Sequence, residues 1–336
     1  MRSLVLIGFA VSLVSCNHGV RVVLDEPFPA KLSDWRLFSG ELKKLQPNAG
    51  VLPYDLNSPL FSDYAAKARV VWMPAGTAAR YHPDEAFDFP QGAVIAKSFS
   101  FGDRIIETRV LVNTRNGWRG LPYVWNTAQT DATLEIAPDP VQVSFNGKAF
   151  TYFIPNMNQC KGCHERSKRT VPIGMKARHL NKEYRYADGA ENQLAHWTKA
   201  GYLTGAPPPD AAPRNAVWDQ PSSGSVTARA RAYLDINCGH CHNPDGPADT
   251  SGLFLTATET DPLRLGFCKV PVAAGHGAGD LRFDAVHGLP DESILVRRMN
   301  SAEPKVMMPE LGRSTIHREG VELIREWIAQ TKGSCL

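Results

Sequence analysis

Cys160-Lys161-Gly162-Cys163-His164 and Cys238-Gly239-His240-Cys241-His242 each place two cysteines three positions apart, with a histidine directly behind the second. At this spacing two thiols on one short helical turn reach the two vinyl groups of one porphyrin as thioethers. The adjacent imidazole then reaches the iron from below, which is the pattern of c-type haem attachment. Two such stretches in 336 residues with seven cysteines and ten histidines predict two covalently bound haem c groups. Cys160, Cys163 and His164 hold the first, and Cys238, Cys241 and His242 the second. The alternative reading of the same four cysteines is an all-thiolate zinc site or two disulfides.

Upstream, residues 30–155 carry no such motif and read as strands. Ser98-Phe99-Ser100-Phe101, then Gly102-Asp103, then Arg104 to Val112 spell a hairpin with a tight glycine turn, and Asn116-Gly117 and Asn146-Gly147 are two further turn signals. Short strands at this spacing predict an antiparallel β-sandwich. Trp118, Tyr123 and Trp125 read either as a sugar-stacking or partner-binding surface or as packed sheet residues. Packing is the favoured reading, because aromatics suit half-buried pleated surfaces.

Downstream the texture changes to helical patterns and loops. Asp188 to Ala200 reads as a helix closed by Gly201, and a second helix opens near Ser225 and delivers Cys238. Between them, residues 206–224 hold Pro207-Pro208-Pro209, Pro213 and Pro221, a semi-extended linker. Val321, Ile324, Trp327 and Ile328 recur at helical spacing, an amphipathic terminal helix. The expected fold is therefore α+β and multidomain: an N-terminal antiparallel β-sandwich over 30–155, a first haem unit over 156–205, the linker, and a mainly α cytochrome c-like domain over 225–336.

His164 and His242 are the proximal ligands, so the sixth ligand decides function. For the second haem it is Met308, in Lys305-Val306-Met307-Met308-Pro309, with Met307 as the alternative and gap-filling core methionines as the bland reading. A soft thioether opposite imidazole raises the potential, which suits an electron carrier. The first haem's distal ligand stays unassigned among Met175, His179 and His196, each also readable as core filler or a packed polar residue. An open sixth position is the remaining alternative. His240, inside the second motif, reads as a solvent-side neighbour.

Arg2, the apolar run Leu4 to Val14 and the small Ser15 form an export signal over residues 1–15, too short to span a bilayer as a mature helix. Leu13-Val14-Ser15-Cys16 resembles the bacterial lipobox, so Cys16 is the expected site of lipidation, and Asn17 points to the outer membrane. A plain signal peptide is the alternative. The two remaining cysteines, Cys268 and Cys335, form a candidate disulfide of the kind that persists in the periplasm; two buried free thiols are the other reading. A formal net charge of +3 without a dominant Lys/Arg run gives no basis for nucleic-acid binding.

These residues together resemble a family of bacterial dihaem c-type cytochromes. The likeness rests on Ile106-Glu107-Thr108-Arg109-Val110-Leu111-Val112, Gly120-Leu121-Pro122-Tyr123-Val124-Trp125-Asn126, Pro155-Asn156-Met157-Asn158-Gln159-Cys160, Ala177-Arg178-His179-Leu180-Asn181 and Asn192-Gln193-Leu194, and covers nearly the whole mature chain. A similar sandwich-plus-haem arrangement occurs fused to sugar-dehydrogenase propellers that use pyrroloquinoline quinone. The resemblance implies a redox partner, a periplasmic quinoprotein dehydrogenase, with electrons passed on to a downstream cytochrome. The expected function is single-electron transfer on the periplasmic side, with a lipid anchor in the outer membrane. Two rival classes are a peroxidase-like haem enzyme with an open first haem and His179 or His196 as acid/base group, and a carbohydrate- or surface-binding sandwich with a redox tail.

Overall fold

Alternating apolar residues bounded by tight turns build the central sheet. A computed structural model describes residues 19–335; the export signal, the lipobox and Cys16 lie outside the described residues. The strands before the first motif are β1 (Leu52–Pro53), β2 (Ala66–Trp72), β3 (Ala79–Arg80), β4 (Val94–Phe101), β5 (Arg104–Thr114), β6 (Gly117–Trp125), β7 (Ala132–Leu134), β8 (Val141–Phe145) and β9 (Lys148–Tyr152). Six of them form one antiparallel sheet in the order β1-β2-β4-β5-β6-β7, while β8 and β9 make a separate two-stranded ribbon. Gly102 has φ +56° at the first central position of the two-residue β4–β5 turn, where only a residue without Cβ sits at low cost.

The period of two sends Val70, Val94, Ala96, Val110, Val112 and Leu121 to one face, where Trp35 and Leu37 from the N-terminal segment cover them. Val71, Ile95 and Leu111 point to the other, where Met175, Leu180, Leu194, Trp197 and Ile236 pack on them. The second face is thus covered by the haem-motif segment of the chain and not by a second sheet.

The expectation of a β-sandwich followed by mainly α cytochrome c-like haem domains is therefore corrected on both counts. Among the described residues there is one large antiparallel sheet, and the α-helices are six and short: α1 (Met157–His164), α2 (Ala177–Leu180), α3 (Gln193–Lys199), α4 (Val226–Asn237), α5 (Ile294–Met299) and α6 (Arg318–Gln330). With the short 3-10 turns included, 23% of the described residues are helical. The physical reason lies in the punctuation. From Cys238 to Ser293 the chain carries Pro244, Pro247, Pro262, Pro271 and Pro290 among many glycines, and proline removes the helical N–H while glycine raises the entropic cost of helix. The helix read over 188–200 is half strand: Gly189–Asn192 pairs with Glu183–Tyr186, and α3 starts only where the Asn192 side chain accepts the Leu194 N–H at 2.9 Å.

A second core gathers α4, α5 and α6 through Tyr233, Leu234, Val296, Ile324, Trp327 and Ile328. Where α6 crosses α4, a Cβ on Gly320 would lie 2.6 Å from Cε2 of Tyr233, so the glycine sets the approach of the two helices.

Two buried carboxylates join the parts. Asp235 on α4 takes Nε and Nη2 of Arg178 at 2.7 and 2.9 Å, Nε2 of His179 at 3.2 Å, Asn215 Nδ2 at 3.0 Å and the Ala257 N–H at 3.0 Å. Asp63 accepts the N–H groups and hydroxyls of Ser314 and Thr315. The proline-rich stretch is pinned as well: the Asn215 N–H donates to Arg178 O at 2.9 Å, and Ser58 Oγ donates to Ala216 O at 2.9 Å. Among the described residues no helix is long and apolar enough to cross a membrane.

Burial alone pushes the Asp235 carboxyl up, but hydrogen bonds from His179 and Arg178 and their charge hold it well below the usual carboxylate range. A carboxyl lowered in the folded state stabilises above its unfolded value of roughly 4, and that contribution is lost as pH falls below it. Asp235→Ala should cost about 3–5 kcal/mol, because it strands a buried guanidinium, and should remove part of the acid sensitivity; urea melts at pH 7 and pH 4 check both. Gly320→Val should cost about 1–3 kcal/mol through overpacking against Tyr233, read as a lowered Tm.

Candidate functional site

The first motif forms because Asn156 and Gln159 make a reciprocal capping box, each side chain accepting the other's backbone N–H at 2.9 Å, which starts α1. The helix lies directly on β6, where a Cβ on Gly120 would come 2.9 Å from the Cβ of Cys160. His164 ends the helix, and its Nδ1 donates to Val171 O at 2.7 Å. That bond fixes the tautomer and leaves Nε2 as a free donor of its lone pair. Burial, then the nearby Lys97 charge, pulls the imidazole down to about 3, so it is neutral.

The second motif starts where α4 stops. The Cys238 carbonyl accepts the N–H groups of Cys241 at 3.1 Å and His242 at 2.9 Å, which curls the five residues into one turn. His242 Nδ1 donates to Leu253 O at 3.2 Å, and burial holds this imidazole at about 4. Both histidines therefore present a neutral, oriented Nε2, the form that ligates a metal.

Each motif opens on a cavity, of about 500 Å³ at the first and about 400 Å³ at the second, within the roughly 300–1,000 Å³ of cofactor and ligand sites. Phe61, Leu111, Phe153 and Ile173 wall the first; Leu253, Leu255, Ile294 and Leu295 wall the second. Cys163, Cys238, His240, Met299 and Met308 line both, so the two cavities share a wall. Ser62 Oγ, buried on the first cavity, has no hydrogen-bond partner among the described residues. All four motif cysteines are free thiols, pushed up by burial, Cys238 and Cys241 to about 12. Among the described residues no three His, Cys, Asp or Glu side chains converge as a metal site, and none of the four thiols is joined in a disulfide. Unpaired thiols, a pinned imidazole and an apolar cavity at each motif fit a covalently tethered porphyrin.

Met308 lines both cavities and Met307 only the first of these two. The backbone of Met308 is held on both sides, its N–H donating to Arg298 O at 3.0 Å and its carbonyl accepting from Arg313 at 2.9 Å. The three distal candidates of the first site are elsewhere. Met175 is buried in the core under the sheet, His179 is bonded to Asp235, and His196 is bonded to Glu191 at 2.7 Å and stacked on Tyr186. None lines the first cavity, which takes from the catalyst reading the acid/base groups it relied on. His240 stands between the cavities and not on the solvent side. Tyr123 and Trp125 are buried, and Trp118 packs edge-on to Phe89, which is sheet packing. Cys268 and Cys335 are joined as a disulfide.

Sequence reasoning missed Lys97, Arg109, Met299 and His317, all on the first cavity. The signal for Lys97 was present: a lysine in the middle of Val94-Ile95-Ala96-Lys97-Ser98-Phe99 is a charge inside an otherwise buried strand. His317 carried none, since its stacking on Phe61 at 4.1 Å and its bond to Tyr233 at 2.9 Å depend on tertiary structure.

Gly120→Val should push α1 off β6, at a cost of about 1–3 kcal/mol. Hydrogen exchange should show faster exchange of the α1 amides with β4 and β5 unchanged; uniform loss of protection, or none, would contradict the contact. Compared with models of protein families, with characterised proteins and with solved structures, the chain matches none.

Proposed function

We infer that this protein is a periplasmic electron carrier with two covalently bound haem c groups. The observation that carries the reading is the pair of Cys-x-x-Cys-His turns, each with free thiols and a neutral histidine of fixed tautomer, opening on two cavities that share a wall. In those positions haem c supplies one-electron iron chemistry. Cys160 and Cys163 tether the first group and Cys238 and Cys241 the second, while Nε2 of His164 and of His242 ligate. The apolar walls would exclude water, and Met308, its backbone held on both sides, would offer its thioether to the second haem, which favours the reduced state.

The Cys268–Cys335 disulfide supports an oxidising compartment, and the lipobox at Cys16 supports attachment to the outer membrane. The donor this reading calls for is a periplasmic dehydrogenase, possessing a surface that meets the haem-bearing half, and the acceptor is a downstream cytochrome.

Met308→Ala should abolish the long-wavelength methionine-to-ferric charge-transfer band of a His/Met haem in magnetic circular dichroism. A band unchanged in this variant would move the ligand to Met299, which lines the same cavity. The electron-carrier reading also expects the reduced protein to bind carbon monoxide slowly at both haems; rapid binding at one would overturn pure carriage.

A further inference from the structure

Three cations stand in register across the face of the sheet that the first haem motif covers. Arg69 on β2 pairs with Lys97 on β4, and Lys97 pairs with Arg109 on β5. Directly opposed residues of antiparallel strands share a face, and like charges there repel. The two outer cations are neutralised: Arg69 by Asp55 at 2.6 Å, and Arg109 by both oxygens of Glu107 at 2.8 and 2.5 Å. The central one is not. Among the described residues no carboxylate or other acceptor lies within hydrogen-bond reach of Lys97 Nζ, which stands 5.1 Å from the centre of the Phe99 ring. Its side chain lines the first cavity together with Cys160, Cys163 and His164, and its charge is felt at each of these three.

We propose that the Lys97 ammonium is the anchor for a carboxylate on the rim of the porphyrin carried by Cys160 and Cys163. This rests on the reading of the first motif as a haem-attachment site. A half-buried ammonium between two guanidinium groups is unfavourable unless an anion joins it; the other two cations on the cavity are already engaged, Arg109 by Glu107 and Arg313 by the carbonyls of Arg298, Met308 and Thr315. Burial and the Arg109 charge pull the free lysine down to about 7, so an anion beside it also keeps the amine protonated. Lys97 is a positioning residue in this account: it orients the porphyrin edge and adds one positive charge near the iron.

The test uses the mature protein and its Lys97→Met and Lys97→Arg variants, with porphyrins counted as pyridine haemochromes. Each haem's potential is then followed by spectroelectrochemistry with and without added phosphate. In Lys97→Met one potential should fall and the other hold, because a nearby positive charge repels the oxidised iron more than the reduced, so its loss favours the oxidised state; Lys97→Arg should stay near the parent, and phosphate should change nothing. Two haems with both potentials unchanged in Lys97→Met would overturn the anchor while leaving the haem reading intact. A parent potential that drops with phosphate only when Lys97 is present would assign the site to a free anion and overturn it too. Loss of a low-spin spectrum in Lys97→Met would make Lys97 an axial ligand instead. A protein without porphyrin would overturn this proposal and the function it rests on together.

Discussion

The buried carboxylate of Asp235 sets the mutual geometry of the two segments that carry the Cys-x-x-Cys-His motifs. It sits one turn before Cys238 on α4 and holds Arg178 and His179, which follow the first motif, together with the proline-rich segment through Asn215. A charge in this position is favourable only when every lone pair is matched, so the network tolerates one mutual arrangement of the two segments. That arrangement is what brings both motifs to a common wall. Asp63 makes the second tie, fastening the loop after Met308 to the strand region through Ser314 and Thr315.

With the segments so fixed, chemistry follows from desolvation. The same burial that drives the sheet and helices together takes His164 and His242 out of water and keeps them neutral, and a backbone carbonyl behind each ring chooses the nitrogen left free. Gly120 lets α1 lie against the sheet and Gly320 lets α6 lie against α4, so two missing side chains control how closely the two sites approach their supports.

The candidate site was legible in the sequence because its spacing is local: two thiols and an imidazole within five residues share one turn whatever the rest of the chain does. Hairpins were legible for the same local reason, as the Gly102-Asp103 and Asn146-Gly147 turns show. The sandwich was not, because alternation reports that a sheet has two packed faces without reporting what packs on them; here the second face meets Met175, Leu194 and Trp197, which lie far along the chain. Helix content was overread over 188–200, where apolar spacing fits a helix but Gly189 to Asn192 pairs as a strand. The surroundings of the first site were the least legible. His179 and His196 look like ligands by type, yet each has a carboxylate partner brought to it by the fold, whereas Met299 and Lys97 line the cavity from elements with no motif.

The most direct test of the central claim is the intact mass of the chain matured in a host equipped for c-type haem assembly. The account predicts a protein heavier than its polypeptide by two porphyrins, falling to one when Cys160 and Cys163 are both replaced by serine. A colourless chain at the bare polypeptide mass, with four thiols still open to alkylation, would contradict it.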